Sequence, residues 1–253
     1  MRCIFCGKDC EKKSAIEHIV PESLDNKTLL LPKGYVCIQC NNYLGREVEA
    51  PFINHPLIMT IRSQLNIESK KGSIPSSIIN IENVGNAILS KRIINGRMSW
   101  FLGVDESQIN ALLQAAQQKK IIYEALNGLP PKKITNRFAC KVAIELLAYN
   151  MIDTDEIKYF ANTKEFMPLI NYVRYDPRKI WPVNSRKIWQ HFTFMDNSNK
   201  SNLIFRSKSL IIDNHIFYMI FILYGYEFAV NLFTPEISNY KNWLEKNNNI
   251  SPL

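Results

Sequence analysis

Apolar residues recur every fourth position over 134–150, at Ile134, Phe138, Val142 and Leu146. That spacing predicts a helix with one apolar face, started near Thr135 or Asn136. Upstream, 76–81, 87–89 and 98–102 are short β-branched or aromatic runs separated by Gly-Asn and Asn-Gly. They predict two or three antiparallel strands. A helix is expected over 104–120, with Asp105 or Ser107 as its cap and lysines at its end. Shorter helices are expected over 57–65, 154–161 and 163–173. The last third returns to period-two and fully apolar runs at 189–195, 203–212, 216–224 and 226–233, a predicted antiparallel meander. The polar tail from Asn239 to Leu253 is expected to fray.

These elements give an α+β fold. Pro51 to Pro56 reads as a hinge, because two prolines disfavour helix there. The expected organisation is a finger over 1–56 and a mixed helix and antiparallel-sheet domain over 57–253. Gly128-Leu-Pro-Pro131 marks a sub-boundary. No repeat and no low-complexity tract interrupts this plan.

Composition is that of a folded protein, 46% hydrophobic and 21% charged. The most apolar run, 216–224, is too short to span a bilayer. No secretory signal is visible at the first residues, so a reducing cytoplasm is expected and six cysteines point to metal before disulfides. The net charge of +8 is unevenly placed. Residues 1–60 carry 7 basic and 7 acidic side chains, and residues 61–253 carry 24 and 16. A basic downstream surface would favour a polyanion such as DNA.

The candidate chemistry lies in the first segment. Cys3-Ile-Phe-Cys6 and Cys37-Ile-Gln-Cys40 supply four thiolates, the ligand set of a closed tetrahedral zinc site. Cys10 is an extra thiol, and Cys140 reads as a small buried hydrophobe. Zinc needs only the cysteines, yet Glu17-His18 lies between the two knuckles and Asn41-Asn42 follows the second. An imidazole suits proton abstraction near neutral pH. A carboxylate and an amide suit a hard ion such as Mg²⁺ or Mn²⁺.

The string Cys-x-x-Cys, Glu17-His-Ile-Val-Pro-Glu-Ser-Leu24, then Val36-Cys-x-x-Cys-Asn-Asn-Tyr-Leu-Gly-Arg-Glu-Val-Glu49 resembles the zinc-knuckle subgroup of HNH endonucleases, the ββα-metal or His-Me finger nucleases. The resemblance covers residues 1–56. It implies His18 as general base, Glu17 and Asn41 (or the adjacent Asn42) as ligands of one divalent ion, and cleavage to a 5′-phosphate and a 3′-hydroxyl. Gly45 matches the subgroup's small residue, and Glu47 or Glu49 its trailing acid. Two departures stand out. Asp25-Asn26 replaces the Gly-Gly turn of many relatives, and Leu31-Pro-Lys-Gly34 lacks the amide that braces the His loop in many of them. Either Asn26 or the backbone is then expected to supply the brace.

A second candidate is 172–191, where Arg174, Arg178, Lys179, Arg186 and Lys187 alternate with two Tyr and two Trp. Cations can grip phosphates and aromatics can stack on bases, although the same pattern also describes a packed core with a charged rim. The functional expectation is a DNA-cutting HNH nuclease of bacterial restriction or anti-phage defence, whose downstream domain recognises target or trigger. Double-strand cleavage would call for a homodimer. The competing classes are a non-catalytic zinc-binding module and a mobile-element homing nuclease.

Overall fold

A computed structural model describes residues 1–10, 14, 16–69, 72–117, 123–125, 128–175, 178–189 and 205–253. The chain divides into two compact units, Met1–Phe52 with Pro131–Leu253, and Ile53–Pro130. The amino-terminal finger therefore shares a unit with the last half of the chain. Residues 53–130 form an insertion whose downstream limit falls in the Pro130-Pro131 break. This differs from an expected second domain running from 57 to 253. The chain combines helices with antiparallel sheets, an α+β fold.

The finger opens with a knuckle turn in which Cys3 N donates to Lys8 O and Gly7 N to Cys3 O. Gly7 sits at φ 68°, the left-handed region that glycine enters without strain. A two-stranded ribbon follows, β1 (Glu17–His18) paired antiparallel with β2 (Leu30–Leu31). Cys37 then caps α1 (Ile38–Leu44), its Sγ accepting from Cys40 N. The helix continues through a π-helical turn, Gly45–Glu49, into α2 (Ala50–Ile53).

The inserted unit holds α3 (Pro56–Gln64), β3 (Ser77–Ile81), β4 (Gly85–Ile94), β5 (Arg97–Gly103), α4 (Ile109–Gln117) and β6 (Tyr123–Ala125). Its sheet runs β5-β4-β3-β6. Ile79, Ile81 and Ala87 make a small core, and Lys91 Nζ donates to Ser63 O and Asn66 Oδ1. Asp105 and Gln108 form a capping box before α4, as the expected cap requires.

The carboxy-terminal half is built on α5 (Lys132–Asn150), α6 (Met167–Arg174), β7 (Val183–Lys187), β8 (Phe205–Ile212), β9 (Ile216–Leu223), β10 (Tyr226–Asn231) and α7 (Ser238–Lys246). The sheet order is β7-β10-β9-β8, antiparallel throughout. A two-residue turn at Tyr224 and Gly225, both at positive φ, closes β9 onto β10. Tyr218 and Ile220 on β9 face α7, while α5 lies against β7, β9 and β10. Burial on both faces explains the uninterrupted apolar run of β9.

Two expectations change. The helix α5 is buried from Thr135 to Ala148, not along one face, and it begins at Lys132 with Thr135 and Asn136 inside it. The tail does not fray. Tyr240, Trp243 and Leu244 recur at helical spacing in α7, and Tyr240 is fully buried against Tyr218. Of the strand expected over 189–195, residues from 190 onward lie outside the described residues, and β7 sits at 183–187 instead. Tyr240→Ala should lower stability by about 3–5 kcal/mol, the cost of emptying a buried aromatic site, read as a fall in the denaturant midpoint.

Candidate active site

The four cysteine Sγ atoms of Cys3, Cys6, Cys37 and Cys40 lie within 4.8 Å of one another. Among the described residues they are the one group of three or more His, Cys, Asp or Glu placed to hold a metal. Cys6 and Cys37 Sγ are 3.8 Å apart. A tetrahedron of thiolates about 2.3 Å from zinc has an edge of about that length, so the donor set and its spacing fit Zn²⁺. Backbone N–H groups of Cys37 and Cys40 reach Cys3 and Cys37 sulfur at 3.5 Å. Arg174 Nε donates to Cys40 Sγ at 3.4 Å, bringing a positive charge beside the thiolates. Cys10 stays out of the cluster. Its buried Sγ donates to Gly34 O at 2.6 Å, and burial pushes the thiol up to about 11.

His18 stands on the short ribbon, half-buried, with Nδ1 3.3 Å from Asn26 O. A carbonyl can only accept, so Nδ1 carries the proton and Nε2 of the neutral ring keeps its lone pair. Asn26 also braces the loop through its side chain. Its Nδ2 donates to Val20 O and Leu29 O at 2.6 and 2.8 Å. Its Oδ1 accepts from Thr28 N and Leu29 N at 3.2 and 2.9 Å. Asp25 takes φ 67°, the turn conformation for which glycine would be the usual residue. The side chain of Asn26 and its backbone carbonyl thus share the bracing role.

Beneath this loop lies a lysine that sequence reasoning passed over. Lys141, on α5, is fully buried. Its Nζ is 2.9 Å from Glu17 Oε1, 2.6 Å from Glu49 Oε1 and 2.7 Å from Glu145 Oε2. It also donates to His18 O and Ile19 O at 3.1 and 3.3 Å. Burial disfavours the ammonium, yet Glu145, Glu17 and Glu49 outweigh it and hold the amine well above its ordinary pKa. Burial pushes Glu17 up, partly offset by Lys141, and pushes Glu145 well above the carboxylate range. Glu47 is outside this cage, in an exposed ion pair with Arg46. The usable signal was Arg137, Lys141 and Glu145, three charges spaced by four in the otherwise apolar stretch 137–148.

Arg137 extends the same stripe. Its Nε donates to Val173 O at 2.9 Å, Nη1 to Glu47 O at 3.3 Å and Nη2 to Tyr43 Oη at 2.7 Å. The Phe52 and Phe138 rings stack with centroids 3.9 Å apart. The finger and α5 therefore share both a polar and an apolar contact.

Residues 3–57 match the HNH endonuclease family. The match is to that segment alone, and it supports nuclease activity with a nucleic acid as substrate. Neither a curated protein nor a solved structure matches the chain.

Within the HNH segment, Glu17 is buried, Asn41 is half-buried on α1 and Asn42 is exposed. No hydrogen bond engages the Asn41 amide among the described residues. Lys141 takes Glu17 Oε1, which leaves Oε2 as the oxygen for an ion. A carboxylate oxygen and an amide fit a hard divalent cation better than a soft one. The cations of the second candidate segment separate. Arg174 is spent on Cys40 and lies 4.1 Å over the Tyr43 ring. Arg186 pairs with buried Glu227 at 2.6 and 3.2 Å and donates to Asn249 O. Arg178, Lys179 and Lys187 are exposed. Trp181 is buried, with Nε1 donating to Asn231 O. No helix among the described residues is long and apolar enough to cross a membrane.

Two outcomes follow from this geometry. Cys37→Ser should lose bound zinc, measured by elemental analysis, and unfold the finger, because such a site couples metal binding to folding. Asn26→Ala should retain zinc and lower stability by about 2 kcal/mol in denaturant titration, since two carbonyls and two N–H groups lose their partner.

Proposed function

We propose that the chain is a metal-dependent HNH endonuclease that hydrolyses DNA phosphodiester bonds. What carries the reading is His18, held by Asn26 beside Glu17 within a cysteine-clipped ribbon and helix. A nuclease of this type must make water nucleophilic at neutral pH and spread the charge that develops on phosphate. His18 Nε2 takes the proton from the attacking water, while the Nδ1–H bond to Asn26 O fixes the ring and its tautomer. Glu17 and Asn41 would hold one divalent ion, Mg²⁺ or Mn²⁺, which when bound supplies charge stabilisation at the scissile phosphate and the leaving oxygen. Zn²⁺ on Cys3, Cys6, Cys37 and Cys40 has a different task. It fixes the knuckles and the start of α1, so soft and hard sites need not compete for one metal.

Target or trigger recognition falls to residues outside the finger, in a bacterial restriction or anti-phage role. The support for that role is the analogy of a small nuclease finger joined to a larger partner domain. Exposed Lys179 and Lys187 are the members of the basic segment proposed to meet phosphate. Arg174 and Arg186 serve the protein's own interior.

His18→Ala should reduce Mg²⁺- or Mn²⁺-dependent plasmid nicking by about 10²–10⁴-fold, the usual worth of a general base, with zinc content and melting temperature unchanged. Wild-type nicking by that variant would leave a non-catalytic zinc module as the better description.

A further inference from the structure

The geometry points to Lys141 as a positioning residue of the nuclease site, one that aims the Glu17 carboxylate and the His18–Ile19 backbone from outside the finger. This inference rests on the nuclease reading above. Five oxygens surround its Nζ within 2.6–3.3 Å, and three of them belong to Glu17, His18 and Ile19. An ammonium has three N–H bonds to give, so these oxygens share it and are drawn toward one point. Two consequences follow for the site. Glu17 can offer an ion only Oε2, a single-oxygen ligand in a fixed direction. The carbonyl of His18 is tethered, so the imidazole leaves the ribbon at a set angle.

Stability alone gives little reason for this cage. Buried ion clusters are often no better than packed apolar side chains, because desolvation cancels their attraction. Here Lys141, Glu17 and Glu145 are buried and Glu49 half-buried, although Phe138, Val142 and Leu146 on the same helix are apolar. What the cluster does achieve is direction, as outer partners of metal ligands generally do. Lys141 lies 124 residues from Glu17 and outside the matched segment 3–57. The nuclease centre is thus assembled from two distant parts of the chain, and α5 belongs to it.

The test is the double variant Lys141→Met with Glu145→Gln in the full chain. It replaces both partners by uncharged side chains of similar size; loss of the cation would by charge alone favour Mn²⁺, so weaker binding reports the released direction of the Glu17 carboxylate. Mn²⁺ binding to the zinc-loaded protein without DNA, followed by paramagnetic resonance, should weaken about 10- to 100-fold, and nicking should fall at least as far, with zinc content retained. Binding and nicking within about threefold of wild type would overturn the inference and leave the nuclease reading intact. Absence of nicking and of Mn²⁺ binding in the wild-type chain would instead remove both. Should the double variant lose its zinc or its fold, Lys141→Arg is the second arm. It keeps a cation but displaces the donor, so it should bind Mn²⁺ about tenfold more weakly, and wild-type binding and nicking by it would overturn the inference.

Discussion

A primary ammonium sealed from water must be surrounded by oxygen, and Lys141 satisfies that demand with three carboxylates and two carbonyls. Much of this unit is arranged around the requirement. Glu17 comes from the ribbon, Glu49 from the end of the π-helical turn and Glu145 from the next turn of α5, so three separated pieces of chain must converge. The π turn is where an ordinary helix would place Glu49 differently, and such turns recur at functional sites. The stacked Phe52 and Phe138 rings close the apolar side of the same junction.

The four-cysteine cluster is supported from the same direction. Arg174 on α6 meets Cys40 sulfur and lies over Tyr43, and Arg137 on α5 holds the Tyr43 hydroxyl. Positive charge beside four thiolates offsets the surplus negative charge of a Cys₄ site, which carries a formal excess over a divalent ion. Cys40 and Asn41 thus stand side by side on α1, and cations from the carboxy-terminal half meet both the cysteine cluster and Glu17. The turn of β9–β10 adds a third tie, Tyr224 Oη donating to Leu24 O at 2.8 Å. The finger and the carboxy-terminal half are thus tied together within this unit.

The basic segment 172–191 shows why side-chain type alone misleads. Arg186 reads as a phosphate contact until β10 places Glu227 directly across from it, with Tyr240 donating to the same carboxylate at 2.8 Å. The buried acid requires a cation, so that guanidinium is taken. Arg174 is committed in the same way to the cysteine cluster. Lys179 and Lys187 keep their charge at the surface. Burial of the partner, not the identity of the arginine, separates the two groups.

What the sequence determined by itself is whatever short-range spacing encodes. Paired C-x-x-C knuckles, the Glu17-His18 step, the capping of α4, the hairpin turn at Gly225 and the β-rich last third are all local signals, and each appears where its residues stand. Tertiary structure decided what depends on contacts across the chain. The insertion of 53–130 within a unit joining both termini leaves no mark in local periodicity. Burial of α5 on all sides arises because a sheet and a finger meet it from different directions, and a helical period reports only that some face is apolar. The role of Lys141 is the clearest case. A lysine inside a helix is ordinarily a solvated charge, and only the arrival of Glu17 and Glu49 from far upstream turns it into the cation that the site is built around.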